Sequence, residues 1–406
     1  MVTSRSAIDK RDCVSKPISP GTLDLLVIQP TPFCNLDCNY CYLPFRQSTQ
    51  RIAPAVLQQI FRRTFESSAI GDHFTVVWHA GEPLVLPIEF YNGALNLIDR
   101  HNFCGVEVGH SFQTNGTLIT SEWCEFIEER HLRIGVSVDG PEFLHDQHRK
   151  TRAGHGTWQR VMRGIRALND HKISFHVITV LTANSLDYPD EMFEFYLEHG
   201  IRQIGFNVEE IEGVNRSSSL LSQGVSERFT AFMNRFYDLI ENSSEQFVVR
   251  EFQSATSAIM SGGLKDDTQG HQTTPLAIIS IDCQGNFSTF SPELLGLTSA
   301  EYGDFTFGNV MTDSFDSILS KAKFTGVARD IAAGVRRCRD TCEYFAYCGG
   351  GAPVNKYFEN GSFDSTETMF CRLSKKAVLN VVLEKLEAKV GPRSLQAEFG
   401  PARLSN

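Results

Sequence analysis

Leu23 to Gln29 (LDLLVIQ) forms an apolar run of the kind buried on both faces of a parallel sheet. Further strand-like runs follow at Phe74 to His79, Val106 to Gln113, Arg133 to Val138, Ser174 to Leu181 and Gln203 to Val208. Between them, apolar positions recur at helical spacing over Pro54 to Ser67, Pro87 to His101, Ser121 to His131, Thr157 to His171 and Tyr188 to His199. Six strands and five intervening helices within roughly 190 residues are too few for a closed eight-fold barrel. They predict an α/β unit, an open or partial (β/α)6 TIM-like barrel with helices outside and ligands at the strand C-terminal ends.

Val225 to Asn242 and Glu251 to Met260 read as further helices, and Ser261 to Thr274 (SGGLKDDTQGHQTT) as a polar linker that sets a boundary near residue 270. Beyond it the pattern changes to a strand-like Leu276 to Ile281, turns rich in Gly and Ser, a cysteine cluster, and a closing helix from Ser374 to Lys389. The predicted organisation is an arm over 1–21, the barrel with linking helices over 22–270, a cysteine-rich domain over 271–390 and a tail over 391–406.

Composition narrows the chemistry. Hydrophobic residues are 41% and charged residues 21% of the 406, which suits a packed globular protein. The net charge of −10 argues against a broad phosphate-binding surface, so nucleic acid is not an expected partner. No apolar run reaches membrane-spanning length and Met1 to Ser15 is polar, so neither a membrane span nor a signal peptide is expected and the cytoplasm is the expected compartment. Eleven cysteines in a reducing compartment then point to metal ligation before disulfides.

The first strand runs into Cys34-Asn-Leu-Asp-Cys38-Asn-Tyr-Cys41, spacings of four and three. Three thiolates from one short loop suit three irons of a cubane cluster with the fourth iron left open; zinc would want a nearby fourth ligand, which this loop lacks. With Tyr40 before the third cysteine, the loop resembles the signature of radical SAM enzymes. Ala80-Gly81-Glu82-Pro83 after the second strand resembles that family's GGEP-like turn for the methionyl amine of S-adenosylmethionine (SAM), with Ala in place of the first Gly. Gly lets the backbone approach a ligand, and Glu82 is expected to pair with an ammonium. The polar tips of the third and fourth strands hold Asn115 and Ser137. The resemblance implies that they line the SAM site, with Ser137 and one of Arg149 or Arg152 near the methionyl carboxylate and ribose. Turn capping explains each tip residue equally well when taken singly. His79, His145 and His148 read as polar rim residues without chemistry.

Cys338, Cys342, Cys348 and Cys371, with a CGGG turn, suit either a tetrahedral zinc site or all four corners of a second cubane. They resemble the SPASM extension of radical SAM peptide maturases, which implies an auxiliary [4Fe–4S] cluster. The fuller pattern has a further cysteine where Ala352 stands and several upstream where only Cys283 is found, implying one auxiliary cluster instead of two. Cys283, Cys13, Cys104 and Cys124 default to buried small hydrophobes.

The resemblance implies one-electron reductive cleavage of SAM, a precursor peptide as partner, and an external donor of flavodoxin or ferredoxin type. IQPTPFCNLDCNYCYLP and GFNVEEIEG resemble the glycine-rich-repeat maturation branch. Enzymes of that branch join an aromatic ring to the Cβ of a residue two positions on, a three-residue cyclophane. Candidate bases for such a net oxidation are Glu209, Glu210, Asp282 and Glu293. Rival readings are formylglycine formation in a sulfatase, peptide thioether or epimer formation, and, outside this class, a zinc-binding interaction module.

Overall fold

The computed structural model describes residues 20–263 and 270–390. The tail over 391–406, nearly all of the N-terminal arm, part of the linker and Cys13 lie outside the described residues.

Seven strands enter one parallel sheet in sequence order: β1 (Leu25–Ile28), β2 (His73–Trp78), β3 (Glu107–Thr114), β4 (Arg133–Ser137), β5 (His176–Leu181), β6 (Gln203–Val208) and the short β7 (Val248–Val249). The crossovers carry α1 (Pro54–Glu66), α2 (Ile88–His101), α3 (Ser121–Glu129), α4 (Glu142–His148), α5 (Trp158–Asp170), α6 (Pro189–Glu198) and α7 (Val225–Glu241). The β/α alternation is therefore as expected; α4 is an added helix, too short to show a full apolar stripe. Parallel pairing demands such crossovers, and it explains why β1 and β4 are buried almost throughout. Helix apolar stripes close the core, as where Tyr91 and Trp123 pack edge-on against Phe112 of β3.

α8 (Arg250–Met260) follows β7, and β8 (Ile278–Ile281), from beyond residue 270, pairs in parallel with β1. The sheet thus crosses the linker. β9 (Asn286–Thr289) pairs antiparallel with β8, the ribbon of β10 (Thr298–Ser299) and β11 (Gly303–Asp304) stands apart, and β12 (Gly308–Asn309) pairs with β9.

The region expected to be turns instead contains α9 (Ala322–Thr341), a helix of 20 residues. Gly326 and Gly334 weaken its local propensity, but Phe324, Val327, Ala328, Ile331 and Val335 form a buried stripe that holds it. α10 (Phe345–Cys348) and α11 (Pro353–Asn360) follow. The closing helix starts earlier than expected, at Met369, and widens into a π-helical stretch over Cys371–Ala377 that passes into α12 (Val378–Val390). Such widening is common at functional sites. Among the described residues no helix is long and apolar enough to cross a membrane.

Candidate active site and cysteine clusters

The C-terminal ends of the strands open into a cavity of about 250 Å³. Cys34, Cys38 and Cys41 line it together with Gly81, Glu82, Asn115, Ser137 and Arg149. The cysteine loop is fixed from several sides. Leu36 is 1% exposed and bridges to Thr151, the Asp37 N–H donates to the Lys150 carbonyl at 2.8 Å, and Arg46 pairs with Asp37 while donating to the Cys38 carbonyl. Buried Leu36 thus serves as the loop's anchor, leaving the thiols on the cavity side. Burial pushes the Cys34 thiol up to about 12, helped by the Glu82 charge, and the Cys38 thiol up to about 11. Thiolates there require a metal's positive charge to form near neutrality.

The turn after β2 requires its glycine. Gly81 has φ +130°, and a Cβ there would stand 2.2 Å from the Thr31 carbonyl oxygen. Ala80 has φ +66°, so where the family's turn has Gly an L side chain here sits in the left-handed region. Ala80→Gly is expected to raise the unfolding free energy by about 0.5–1 kcal/mol, the relief of left-handed strain less the entropy of Gly. Anaerobic urea denaturation checks this, and an unchanged or lower midpoint contradicts it.

Glu82 is buried and already has three donors. Its Oε1 accepts from the Leu84 N–H at 3.0 Å and the Thr114 hydroxyl at 2.6 Å, and its Oε2 from the Asn115 N–H at 2.8 Å. The carboxylate ties the β2 turn to the tip of β3, and an ammonium would share it with those donors. Burial pushes the Glu82 carboxyl up to about 7 despite them. Pro83 opens a short 3-10 turn and is buried.

Several expected ligand contacts serve structure instead. The Tyr40 hydroxyl donates to Asp139, and the Arg149 guanidinium grips the same carboxylate through Nε at 2.9 Å and Nη2 at 3.0 Å. Arg149 also lies 5.5 Å from the Tyr40 ring centre. Arg149 is thus committed to Asp139. Arg152 does not line the cavity: it stacks over Phe33 and donates to the carbonyls of Cys34 and Arg46, clamping the loop from outside. Ser137 and Asn115 face the cavity; Ser137 accepts from Gln113, and the Asn115 amide donates to Asn35. The rim reading fails for two histidines. His145 is 0% exposed between Asp139 and Thr157, and His79 lines the cavity, its Nε2 3.2 Å from the Tyr42 hydroxyl and its buried Nδ1 without a partner among the described residues.

The four candidate bases separate. The Glu209 carboxylate accepts from the Ser219 N–H at 2.6 Å and hydroxyl at 2.5 Å, so it caps a turn. Asp282 lies outside this cavity and accepts from the N–H groups of Gln284 and Asn286, a turn role at the end of β8. Glu210 and Glu293 remain, joined by Glu212, which was not expected. All three line both the active cavity and a neighbouring one of about 400 Å³ against α11 and the start of the C-terminal helix. Burial pushes all three carboxyls up, and mutual repulsion adds to it at Glu210 and Glu212. Glu210 accepts a hydrogen bond from Asn355, and among the described residues Glu293 has a buried oxygen without a partner. Residue spacing held part of the signal: in an extended run after β6, Glu210 and Glu212 fall on one face, while Glu209, though it also lines the cavity, is held by Ser219.

Beyond the neighbouring cavity lie the other cysteines. Cys338 lies in the last turn of α9, Cys342 caps it, Cys348 ends α10 before three successive glycines of positive φ, and Cys371 starts the π-helical stretch. Burial pushes the Cys371 thiol up to about 12, with Cys348 and then Cys342 adding repulsion, so tertiary structure gathers these three. Cys283 is 6% exposed at the end of β8, in a cavity lined by no other cysteine. Cys124 is buried as expected, whereas Cys104 is exposed, on the turn between α2 and β3 where nothing packs over it. Among the described residues no three His, Cys, Asp or Glu side chains gather tightly enough for a single metal ion. A cubane instead places its thiolates at separate corners, and three and four cysteines fit an open and a closed cluster.

An open parallel α/β sheet with a cysteine loop after its first strand is the arrangement that the resemblance to radical SAM enzymes implies. The chain belongs to this family: residues 28–196 match the model of the Radical SAM superfamily. It is 46% identical over 375 residues to an uncharacterized protein of Synechocystis sp., covering 91% of this chain and 94% of that one. It is 34% identical over 194 residues to the serine-type anaerobic sulfatase-maturating enzyme of Klebsiella aerogenes, covering 47% of this chain and 48% of that enzyme. This chain therefore matches about half the length of the latter. In fold it is similar to anSMEcpe with bound AdoMet and Cp18Cys peptide, with a TM-score of 0.73, 22% identity and coverage of 89% of this chain and 97% of that one. The family implies a [4Fe–4S] cluster and SAM.

Proposed function

We propose that this protein is a peptide-modifying oxidoreductase that joins an aromatic ring to the Cβ of a residue two positions on in a precursor peptide. The observation that carries the reading is the wall of Glu210, Glu212 and Glu293 between the cavity of the first cysteine loop and the cavity before the second cysteine set. Cys34, Cys38 and Cys41 would hold the cluster that binds SAM, which on one-electron reduction supplies a carbon radical able to remove hydrogen from an unactivated carbon.

Joining Cβ to a ring carbon removes two hydrogens. One leaves as the abstracted atom; the other leaves as a proton and an electron. Glu293, on the cavity wall, has a buried oxygen without a partner among the described residues and is the group best placed to take the proton. Cys338, Cys342, Cys348 and Cys371 would hold the acceptor for the electron. Gly81, Asn115 and Ser137 line the same cavity, where SAM would lie.

Because burial holds the Glu293 carboxyl above its ordinary range, the base form is gained as pH rises above that range, and crosslinking should rise with it. Glu293→Gln is expected to lower crosslink formation at least about 100-fold while leaving SAM cleavage within about threefold. An equal fall in both rates would remove Glu293 from the proton step.

The Klebsiella relative favours a second reading, formylglycine formation. On a serine peptide both reactions remove two hydrogens, so mass alone does not separate them there. Anaerobic turnover with a glycine-rich-repeat precursor and with serine and cysteine sulfatase peptides, followed by hydrazide trapping and fragmentation, does. A fragmentation-resistant ring without a trapped aldehyde supports the crosslink; a trapped aldehyde overturns it.

A further inference from the structure

Lys356 on α11 is 3% exposed, yet among the described residues its ammonium has no carboxylate partner. Its Nζ instead donates to the Cys338 Sγ at 3.3 Å. The backbone makes room for that head group. At Gly334, one turn before Cys338 on α9, a Cβ would stand 3.2 Å from the Lys356 Nζ and 2.2 Å from the Phe363 carbonyl oxygen.

An ammonium withdrawn from water is strongly unfavourable unless an anion balances it, and a neutral thiol is a poor balance. A cubane on four thiolates is a good one. It is anionic, and its charge grows by one on reduction, so a buried cation beside it favours the reduced form. Lys376 is differently placed: it faces Cys342 and Cys371, but its side chain is 26% exposed and pairs with Glu367. Lys356 is the buried cation without a competing carboxylate.

We propose that Lys356 tunes the auxiliary cluster, its charge and its hydrogen bond to the Cys338 sulfur raising the cluster's reduction potential so that it accepts one electron from an oxidised peptide. The electron would pass on to a soluble one-electron carrier of flavodoxin or ferredoxin type. Lys356 here is a positioning residue, since it acts through a ligand sulfur and touches no substrate. The inference rests on the reading of Cys338, Cys342, Cys348 and Cys371 as cluster ligands.

The test is an anaerobic redox titration, followed by electron paramagnetic resonance, of the reconstituted full chain carrying Cys34→Ala, Cys38→Ala and Cys41→Ala, so that only the auxiliary cluster reports. About four irons per chain in that parent show the cluster present. Lys356→Met is then expected to lower the equilibrium constant for reduction about tenfold, a midpoint about 59 mV more negative, while Lys356→Arg stays within about threefold. Lys356→Gln, which keeps a donor without the charge, should fall between them. A loaded Lys356→Met variant titrating within about twofold of the parent overturns the tuning role and leaves the cluster reading intact. A parent without iron overturns both. If Lys356→Met does not load, Lys356→Gln against Lys356→Arg decides, and equal midpoints for those two overturn the proposal.

Discussion

Replacing Cys38 by alanine should leave a protein that binds about four irons instead of about eight and releases no deoxyadenosine after reduction with SAM. The size of the effect follows from how the loop is built. Its course is set by buried Leu36, by the Asp37 N–H on the Lys150 carbonyl and by Arg46 on the Cys38 carbonyl, and all three survive the substitution. The variant therefore loses a ligand and keeps the loop. Without three thiolates the open iron has no fixed place, and cleavage should fall below detection instead of in proportion. Cys283→Ala is the matching control: its thiol lies in a cavity with no other cysteine, so the iron count should stay at about eight. Full iron and normal cleavage in Cys38→Ala would mean that the ligand assignment is wrong.

The largest stability effect is expected at Asp139. Its carboxylate accepts from both arms of Arg149, from the Tyr40 hydroxyl and, at 3.0 Å, from the Val180 N–H. The Asp139 and Arg149 side chains are 4% and 8% exposed. Asp139→Ala strands a buried guanidinium, a loss of about 3–5 kcal/mol, and frees the Tyr40 end of the cysteine loop. Asp139→Leu with Arg149→Met removes both charges and should recover part of that loss. Burial alone would raise the Asp139 carboxyl, but the Arg149 charge and hydrogen bonds outweigh it and hold the group below its ordinary range. A depressed carboxyl gives its stabilisation in full above the unfolded value, about 3.9, and loses it as pH falls through the folded one. The wild-type protein should therefore lose stability below about pH 4 more steeply than the double variant. Denaturant unfolding across pH 3 to 7 tests both statements, and a cost under about 1 kcal/mol for Asp139→Ala contradicts the first.

Much of this site could be read along the chain because its elements are local. β6 falls on Gln203–Val208 as the apolar run predicts, and the cysteine spacings need only a short loop to bring the thiols near one another. Arg149 and Arg152 were harder. Both follow the tip of β4 and both are cations, yet only the fold shows that one is locked to Asp139 and the other clamps the loop from outside. Which of two like side chains faces a ligand depends on partners distant in sequence, and no periodicity encodes them.

By itself the sequence determined the alternation of strand and helix, the two cysteine sets and the turn at Gly81, since each follows from burial period, ligand spacing or a backbone conformation open to few residues. Tertiary structure alone decided three things. β8 crosses the linker to join β1. Glu210, Glu212 and Glu293 meet in one wall from segments about 80 residues apart. Lys356 reaches Cys338 through the space left by Gly334. All three are long-range contacts, and their free energy comes from desolvation and charge at places that exist only once the sheet has closed over its core.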